Sequence, residues 1–299
     1  MIAINIENLT YSYDKNTPIL SDLNLSVQKG AIYGFLGANG TGKSTTIRNI
    51  VGLLKPNAGK IKILDEDINN NLNINRNIGA LIEAPSLYGH LSAEDHLKII
   101  CKYQGYTKSR IEEVLEQVGL QDAKKKKTKA FSLGMKQRLG LGMALVHDPE
   151  ILILDEPTIG LDPNGIKDMR QYIQELSDQG KTILLSSHHL EEVEKIASHI
   201  GILQNGKLTF EGTISDLDSL RNKDQKIVIH CNDSLRALNI LQDYTPEKEG
   251  EGRLQLVLNS EKDIPSIVKT LVLADIDIYE LTKQQNNLEN TFFELTENK

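Results

Sequence analysis

Apolar and polar residues alternate over Ala3 to Ile6 and again over Ile19 to Val27. That two-residue period predicts strands with one buried face, here an antiparallel β edge. Gly30 turns the chain into AIYGFLG, a mostly apolar stretch that reads as a buried strand. Glycine-rich ANGTGK follows, then TTIRNIVGLLK, whose apolar residues recur at helical spacing. PNAGK reads as a turn and IKIL as another strand. Ile78 to Ile82 is again strand-like, and Pro85 forbids its continuation as an ordinary central strand, which leaves Glu83 at a strand end.

Residues 92–145 read as mainly helical. SAEDHLKIICKYQ opens with a capping signal, Ser92 as N-cap and Asp95 three residues on. Arg110 to Val118 and Leu133 to Val146 are further helical segments. PEILILDEP is an apolar strand ending in two acids, Ile166 to Ser177 a helix, KTILLSSHH a strand with a polar end, and LEEVEKIASHI a helix. This alternation argues for a mostly parallel α/β sheet, with the helical block inserted into it. Past residue 215 the texture changes. KIVIHC, RLQLVL and DIYEL read as short strands, SLRALNILQD and DIPSIVKTLVLA as helices, and EKEGEGR as a charged loop. Residues 216–299 are therefore expected to form a small α/β domain. The one charge run, KKKKTK at 124–129, reads as a solvated loop.

Composition narrows the classes. A net charge of −7 argues against a nucleic-acid partner held by bulk electrostatics, while leaving room for a local basic pocket. Two cysteines, Cys101 and Cys231, suggest neither a metal site nor a disulfide framework, and fit a reducing compartment. No run approaches the ~18 apolar residues of a membrane span. The start, MIAINIENLTYSYD, lacks the pattern of a secretory signal, so any membrane part is expected from another chain.

GANGTGKST, Gly37 to Thr45, satisfies GxxxxGK[ST] between a predicted strand and a predicted helix. Glycines let backbone N–H groups converge on phosphate oxygens, and the helix N-terminus favours the anion. Lys43 would bridge the terminal phosphates and Ser44 would bind Mg²⁺. ILILDEP delivers Asp155 and Glu156 at a strand's carboxyl end, where ligands bind in open α/β sheets. Asp155 is placed to hold Mg²⁺, and Glu156 to orient or deprotonate the attacking water. FSLGMKQR, Phe131 to Arg138, offers a second anion-binding helix N-terminus, with Ser132 ahead of the helix and Gly134 permitting close approach. One nucleotide needs two such sites only if it is clamped between two copies of the chain.

The order of phosphate loop, FSLGMKQR, ILILDEP, GLDP and SSHHLEE resembles the nucleotide-binding subunit of an ATP-binding cassette transporter over roughly residues 2–215. The resemblance implies an α/β P-loop NTPase: a RecA-like, mostly parallel core sheet, an antiparallel β edge and a helical subdomain at about 90–146. It implies ATP and Mg²⁺ as cofactors and a head-to-tail dimer with a second copy. It also implies permease subunits as partners at the cytoplasmic face of the membrane. Nucleotide contacts would then fall on Gly37, Asn39, Gly40, Gly42, Lys43, Ser44 and Thr45. Ser132, Gly134 and Met135 would touch the partner's γ-phosphate, although Leu133 and Met135 depart from the commonest Gly and Gln. Asp162 in GLDP would link the two sites, and His188 would contact the γ-phosphate beside a less usual His189. Tyr13 would stack on adenine, with Tyr11 a rival. An ATP-binding cassette ATPase without a permease, of translation or DNA-repair type, is the alternative.

Two features point further. Most cassettes carry glutamine where this chain has Glu83, a residue expected to help bind Mg²⁺ and to face the permease. That acid, followed by APSLY, resembles exporters that remove lantibiotics, bacitracin and related peptides. The C-terminal part, ending LENTFFELTE, resembles the tail of cassettes working in drug, peptide or antibiotic efflux; with no catalytic feature of its own, it also reads as a stabilising or dimerising appendage.

Overall fold

The computed structural model describes residues 1–14, 17–69, 74–221, 225–250, 252–258, 260 and 262–284. The segment LENTFFELTE lies outside them. The chain divides into two compact units, Met1–Ile214 and Ser215–Lys299.

In the first unit, β1 (Ile2–Ser12) and β2 (Pro18–Gln28) pair antiparallel, as their alternation requires. They are not the edge of the parallel sheet. β1 is flanked on its other side by a later strand, so both of its hydrogen-bonding edges are occupied within a separate four-stranded sheet. β3 (Ile32–Leu36) is buried throughout and leads into α1 (Lys43–Ile50). That helix is shorter than the apolar spacing suggested. Val51 ends it, Gly52 follows in the left-handed region at φ 75°, and Leu53 turns out to solvent. β4 (Ala58–Ile63) takes in residues expected to form a turn and pairs with β1, and β5 (Glu66–Asp67) pairs with β4.

β6 (Ile78–Leu81) precedes three helices: α2 (Ala93–Gln104), α3 (Lys108–Gln117) and α4 (Leu133–Leu145). α2 opens with the capping box read from Ser92 and Asp95. The lysine run is more than a solvated loop. Buried Thr128 donates to the Tyr88 carbonyl at 2.9 Å and Lys127 to that of His90 at 2.6 Å, bracing the segment ahead of α2.

β7 (Ile151–Asp155), α5 (Pro163–Asp178) and β8 (Thr182–Ser187) follow, both strands wholly buried as befits the centre of a parallel sheet. The helix expected through Ile200 stops early. α6 (Leu190–Glu194) is one turn and a half, and HIGILQ instead forms β9 (His199–Gln204) beside β3. Short apolar runs fit either period, and here pairing decided. Gly201 leaves room for the Tyr33 side chain there, because a Cβ would lie 2.2 Å from Tyr33 Oη. β10 (Lys207–Thr213) closes the edge antiparallel to β9. The six-stranded order is β10-β9-β3-β8-β7-β6, parallel from β9 to β6.

α7 (Ile214–Arg221) begins at the boundary between units. The second unit contains β11 (Gln225–Cys231), α8 (Ser234–Ile240), β12 (Glu247–Lys248), β13 (Arg253–Leu258), α9 (Asp263–Leu273) and β14 (Ile278–Gln284). The antiparallel order β12-β13-β11-β14 with this βαββαβ sequence is the split βαβ, ferredoxin-like arrangement. Its core joins Ile227, Ile229, Leu254 and Leu256 from the sheet to Ala237, Ile267 and Leu271 from the helices. Among the described residues no helix is long and apolar enough to cross a membrane.

Candidate functional site

Because β3, β8, β7 and β6 are parallel neighbours, their carboxyl ends share one rim. Along it, in that order, stand the phosphate loop, His188, the pair Asp155 and Glu156, and Glu83. The residues on this rim are separated by up to about 150 positions of sequence and meet through strand order alone.

The phosphate loop is shaped by glycine. Gly40 and Gly42 take φ 83° and 111°, and a Cβ on Gly42 would lie 2.7 Å from Leu20 Cδ2. Gly42 is also the N-cap of α1, with no side-chain cap and no acid in the first turn, so the helix presents free N–H groups. Asn39 and Gly40 are exposed, whereas Lys43 and Thr45 are buried and Ser44 is half-buried. Lys43 Nζ donates to the carbonyls of Gly37 at 2.7 Å and Ala38 at 3.3 Å, and lies 3.6 Å from Glu156 Oε1. Burial lowers the Lys43 pKa, and the Glu156 and Asp155 carboxylates oppose that shift.

Ser186, which opens the SSHHLEE stretch without a role of its own there, organises both acids. It sits opposite Asp155 in the β7–β8 register. Its hydroxyl donates to Asp155 Oδ1 and accepts from the Glu156 N–H at 3.1 Å. Glu156 takes φ 50°, rare for a residue with a side chain, and its carboxylate accepts from His188 Nδ1 at 2.9 and 3.0 Å. The contact holds the His188 ring against the Glu156 carboxylate through Nδ1. The rings of His188 and His189 are 3.9 Å apart, with His189 exposed.

Asp155 is 2% exposed, and its Oδ2 is a buried oxygen without a hydrogen-bond partner. A lone carboxylate oxygen in that setting is costly unless a cation meets it. With the Ser44 hydroxyl it offers hard oxygen donors of the kind Mg²⁺ takes alongside phosphate oxygens and water, so the donor set fits. Glu83 does not join this set. At φ 60° and with its side chain 63% exposed, it forms an ion pair with Arg48 of α1, a residue that no motif marked. Among the described residues no group of three or more His, Cys, Asp or Glu is arranged to hold a metal.

Tyr13 and Tyr11 meet edge to face at 5.1 Å, but Tyr11 belongs to the core at 8% exposure whereas Tyr13 is 60% exposed. Tyr13 Oη lies 3.5 Å from Thr45 Oγ1 beside the phosphate loop. Ser132 caps α4, its Oγ accepting from Met135 N–H at 3.2 Å, and Asp162 caps α5, accepting from Gly165 N–H at 3.0 Å. Ser132, Leu133, Gly134, Met135 and Asp162 line one open cleft, to which no phosphate-loop residue contributes. One chain thus carries two helix N-termini, at α1 and α4, that do not share a pocket. Arg138 of α4 forms an ion pair with Asp168 of α5 at 2.8 Å.

Comparison with known proteins agrees with this geometry. Residues 20–159 match the family model for ABC transporters. The bacitracin transport ATP-binding protein BcrA of Bacillus licheniformis is 41% identical over 302 residues, covering 98% of this chain and 96% of the relative. The lantibiotic transport ATP-binding protein SrtF of Streptococcus pyogenes is 43% identical over 208 residues, covering 70% and 90%. A solved ATP-binding subunit of an ABC transporter superposes with TM-score 0.66 at 30% identity, covering 73% of this chain and 92% of that one. Motif order, rim geometry and near full-length similarity lead to one conclusion: the chain belongs to the ATP-binding subunits of ABC transporters, ATPases that energise membrane transport.

Proposed function

We propose that this chain hydrolyses Mg-ATP at the β3–β8–β7–β6 rim to drive an exporter of antibiotic peptides, assembled with a second copy of itself and separate permease chains. The observation that carries the site is the buried, unpartnered Asp155 Oδ2 beside a lysine held by the phosphate loop. Residues 1–215 form the ATP-binding domain and residues 216–299 an accessory domain.

Lys43 exchanges its loop carbonyls for phosphate oxygens, and backbone N–H groups at the start of α1 complete the cradle. Ser44 and Asp155 would hold Mg²⁺, which would supply positive charge to offset that of the phosphates. Glu156 orients the attacking water and takes its proton; its fixed left-handed backbone aims the carboxylate at the site. His188 contacts the γ-phosphate through Nε2. Tyr13, exposed beside Thr45, stacks on adenine.

Ser132, Gly134 and Met135 act on the partner's nucleotide, and Asp162 lies where the two sites would communicate. The groove lined by Ile82, Pro85, Ile99, Tyr103, Met143 and His147 supports a docking face for a permease. Its exposed Ile99 and Tyr103 favour that use. A peripheral position on the cytoplasmic face of the membrane follows. The names of the relatives support the cargo class of bacitracin-like peptides and lantibiotics, and nothing favours a permease-free role. The test is expression with the permease in a sensitive cell. Tolerance to such a peptide should rise with the intact chain and stay at baseline with Lys43→Ala; equal tolerance in both would refute the reading.

A further inference from the structure

Arg48 belongs to no motif, yet it joins three parts of the nucleotide site. Its Nη2 donates to Glu83 Oε1 in an ion pair. The neighbouring Tyr13 hydroxyl raises the Arg48 pKa most, and the charges of Glu83 and Asp155 add to that rise against the opposing effect of burial. Tyr13 in turn reaches Thr45, one residue beyond Ser44. On the far side of Glu83, Pro85 is wedged against α4. A Cβ on Gly140 would come within 2.8 Å of Pro85 Cβ and 2.9 Å of Leu81 Cδ1, so only glycine permits this approach. The left-handed Glu83 is therefore held between α1, which begins at the phosphate loop, and α4, which begins at Ser132.

An ion pair this exposed contributes little to stability, so its consequence lies in where it holds charge. We propose that Arg48 is a positioning residue for ATP hydrolysis: it pins the Glu83 carboxylate to the wall of the nucleotide site and cancels its charge against the triphosphate. The proposal rests on the reading of Lys43 and Asp155 as the ATP site. Without Arg48, Glu83 presents an uncompensated negative charge to an anionic ligand, and the Tyr13 contact is lost with it.

The test is a double-mutant cycle on the full chain, with Mg-ATP affinity by calorimetry and KM and kcat by phosphate release. Arg48→Met should weaken ATP binding about tenfold, a modest share of a like-charge contact after solvent screening. Arg48→Lys keeps the charge and should stay within about threefold. Adding Glu83→Gln to Arg48→Met should restore most of the affinity, because no charge remains to compensate. Wild-type affinity in Arg48→Met, or a loss undiminished in the double variant, would overturn the proposal; a purely structural role predicts the latter. Thermal melts check folding, and Arg48→Gln takes the place of Arg48→Met in the cycle if the latter does not fold. Lys43→Ala separates the two levels. If it binds ATP like the wild type, the site reading fails; if it loses ATP while the cycle is additive, only the role of Arg48 fails.

Discussion

Glu156 and Asp155 are adjacent in sequence yet occupy different environments. Asp155 is the last residue of a buried strand, whereas Glu156 leaves that strand through a left-handed turn that swings its carboxylate to Lys43 and His188. Their chemistry should separate accordingly. Glu156→Gln keeps size and most contacts but removes the base. It should bind Mg-ATP normally while turnover falls about 10²- to 10⁴-fold, read by calorimetry and phosphate release. Near-normal turnover would remove Glu156 from the catalytic role. Ser186→Ala is the complementary case. It strips Asp155 of its hydrogen-bond donor and leaves a second buried carboxylate oxygen unpaired, so stability without nucleotide should drop by about 1–3 kcal/mol in urea unfolding. Added Mg-ATP should recover part of that loss through the cation.

At the scale of elements, α2 depends on a local device. Ser92 Oγ accepts from the Asp95 N–H at 3.1 Å, and the Asp95 carboxylate accepts from the Ser92 hydroxyl at 2.6 Å and its N–H at 3.1 Å. Ser92→Ala should cost about 1 kcal/mol, which for a unit of this size lowers the melting midpoint by about 2–4 °C. The Ser92 hydrogen bonds hold the Asp95 pKa below its ordinary value. Its contribution is therefore complete above the unfolded carboxylate pKa of about 3.9 and is lost as pH falls through the lower folded value. Melts between pH 7 and 3 should show Asp95→Asn with a flatter acid limb than the parent. An equal slope would mean that the carboxylate does not stabilise α2.

For the whole molecule, the informative fact is separation. The phosphate loop and the Ser132 cleft have no lining residue in common. In the proposed head-to-tail dimer, a single chain would supply one half to each of two sites. Lys43→Ala and Ser132→Arg chains should each be nearly inactive as homodimers. Mixed, they should regain hydrolysis, because the heterodimer pairs the intact Lys43 of one chain with the intact Ser132 of the other. No recovery on mixing would argue against the head-to-tail arrangement.

Much of this was legible without coordinates. A glycine loop between strand and helix, an apolar run ending in Asp-Glu, and a capped helix at Ser92 are local patterns. Each is set by steric limits, strand burial or orphan N–H groups within a few residues. They determined the phosphate loop, the two acids, the α2 start and the α/β class. Other features depended on partners far away in sequence. β9 formed where helix was expected because β3 offered an edge and Gly201 let Tyr33 pass. Tyr13 and Tyr11 look alike in YSYD, and burial alone told them apart. Ser186 acquired its place from strand register, and Glu83 met Arg48 rather than the Asp155 carboxylate because a left-handed turn directed it there. Sequence determined which chemistry this chain carries, since local backbone rules create those motifs. Tertiary structure decided which side chains share that chemistry, because strand order and long-range packing set distances that no local pattern encodes.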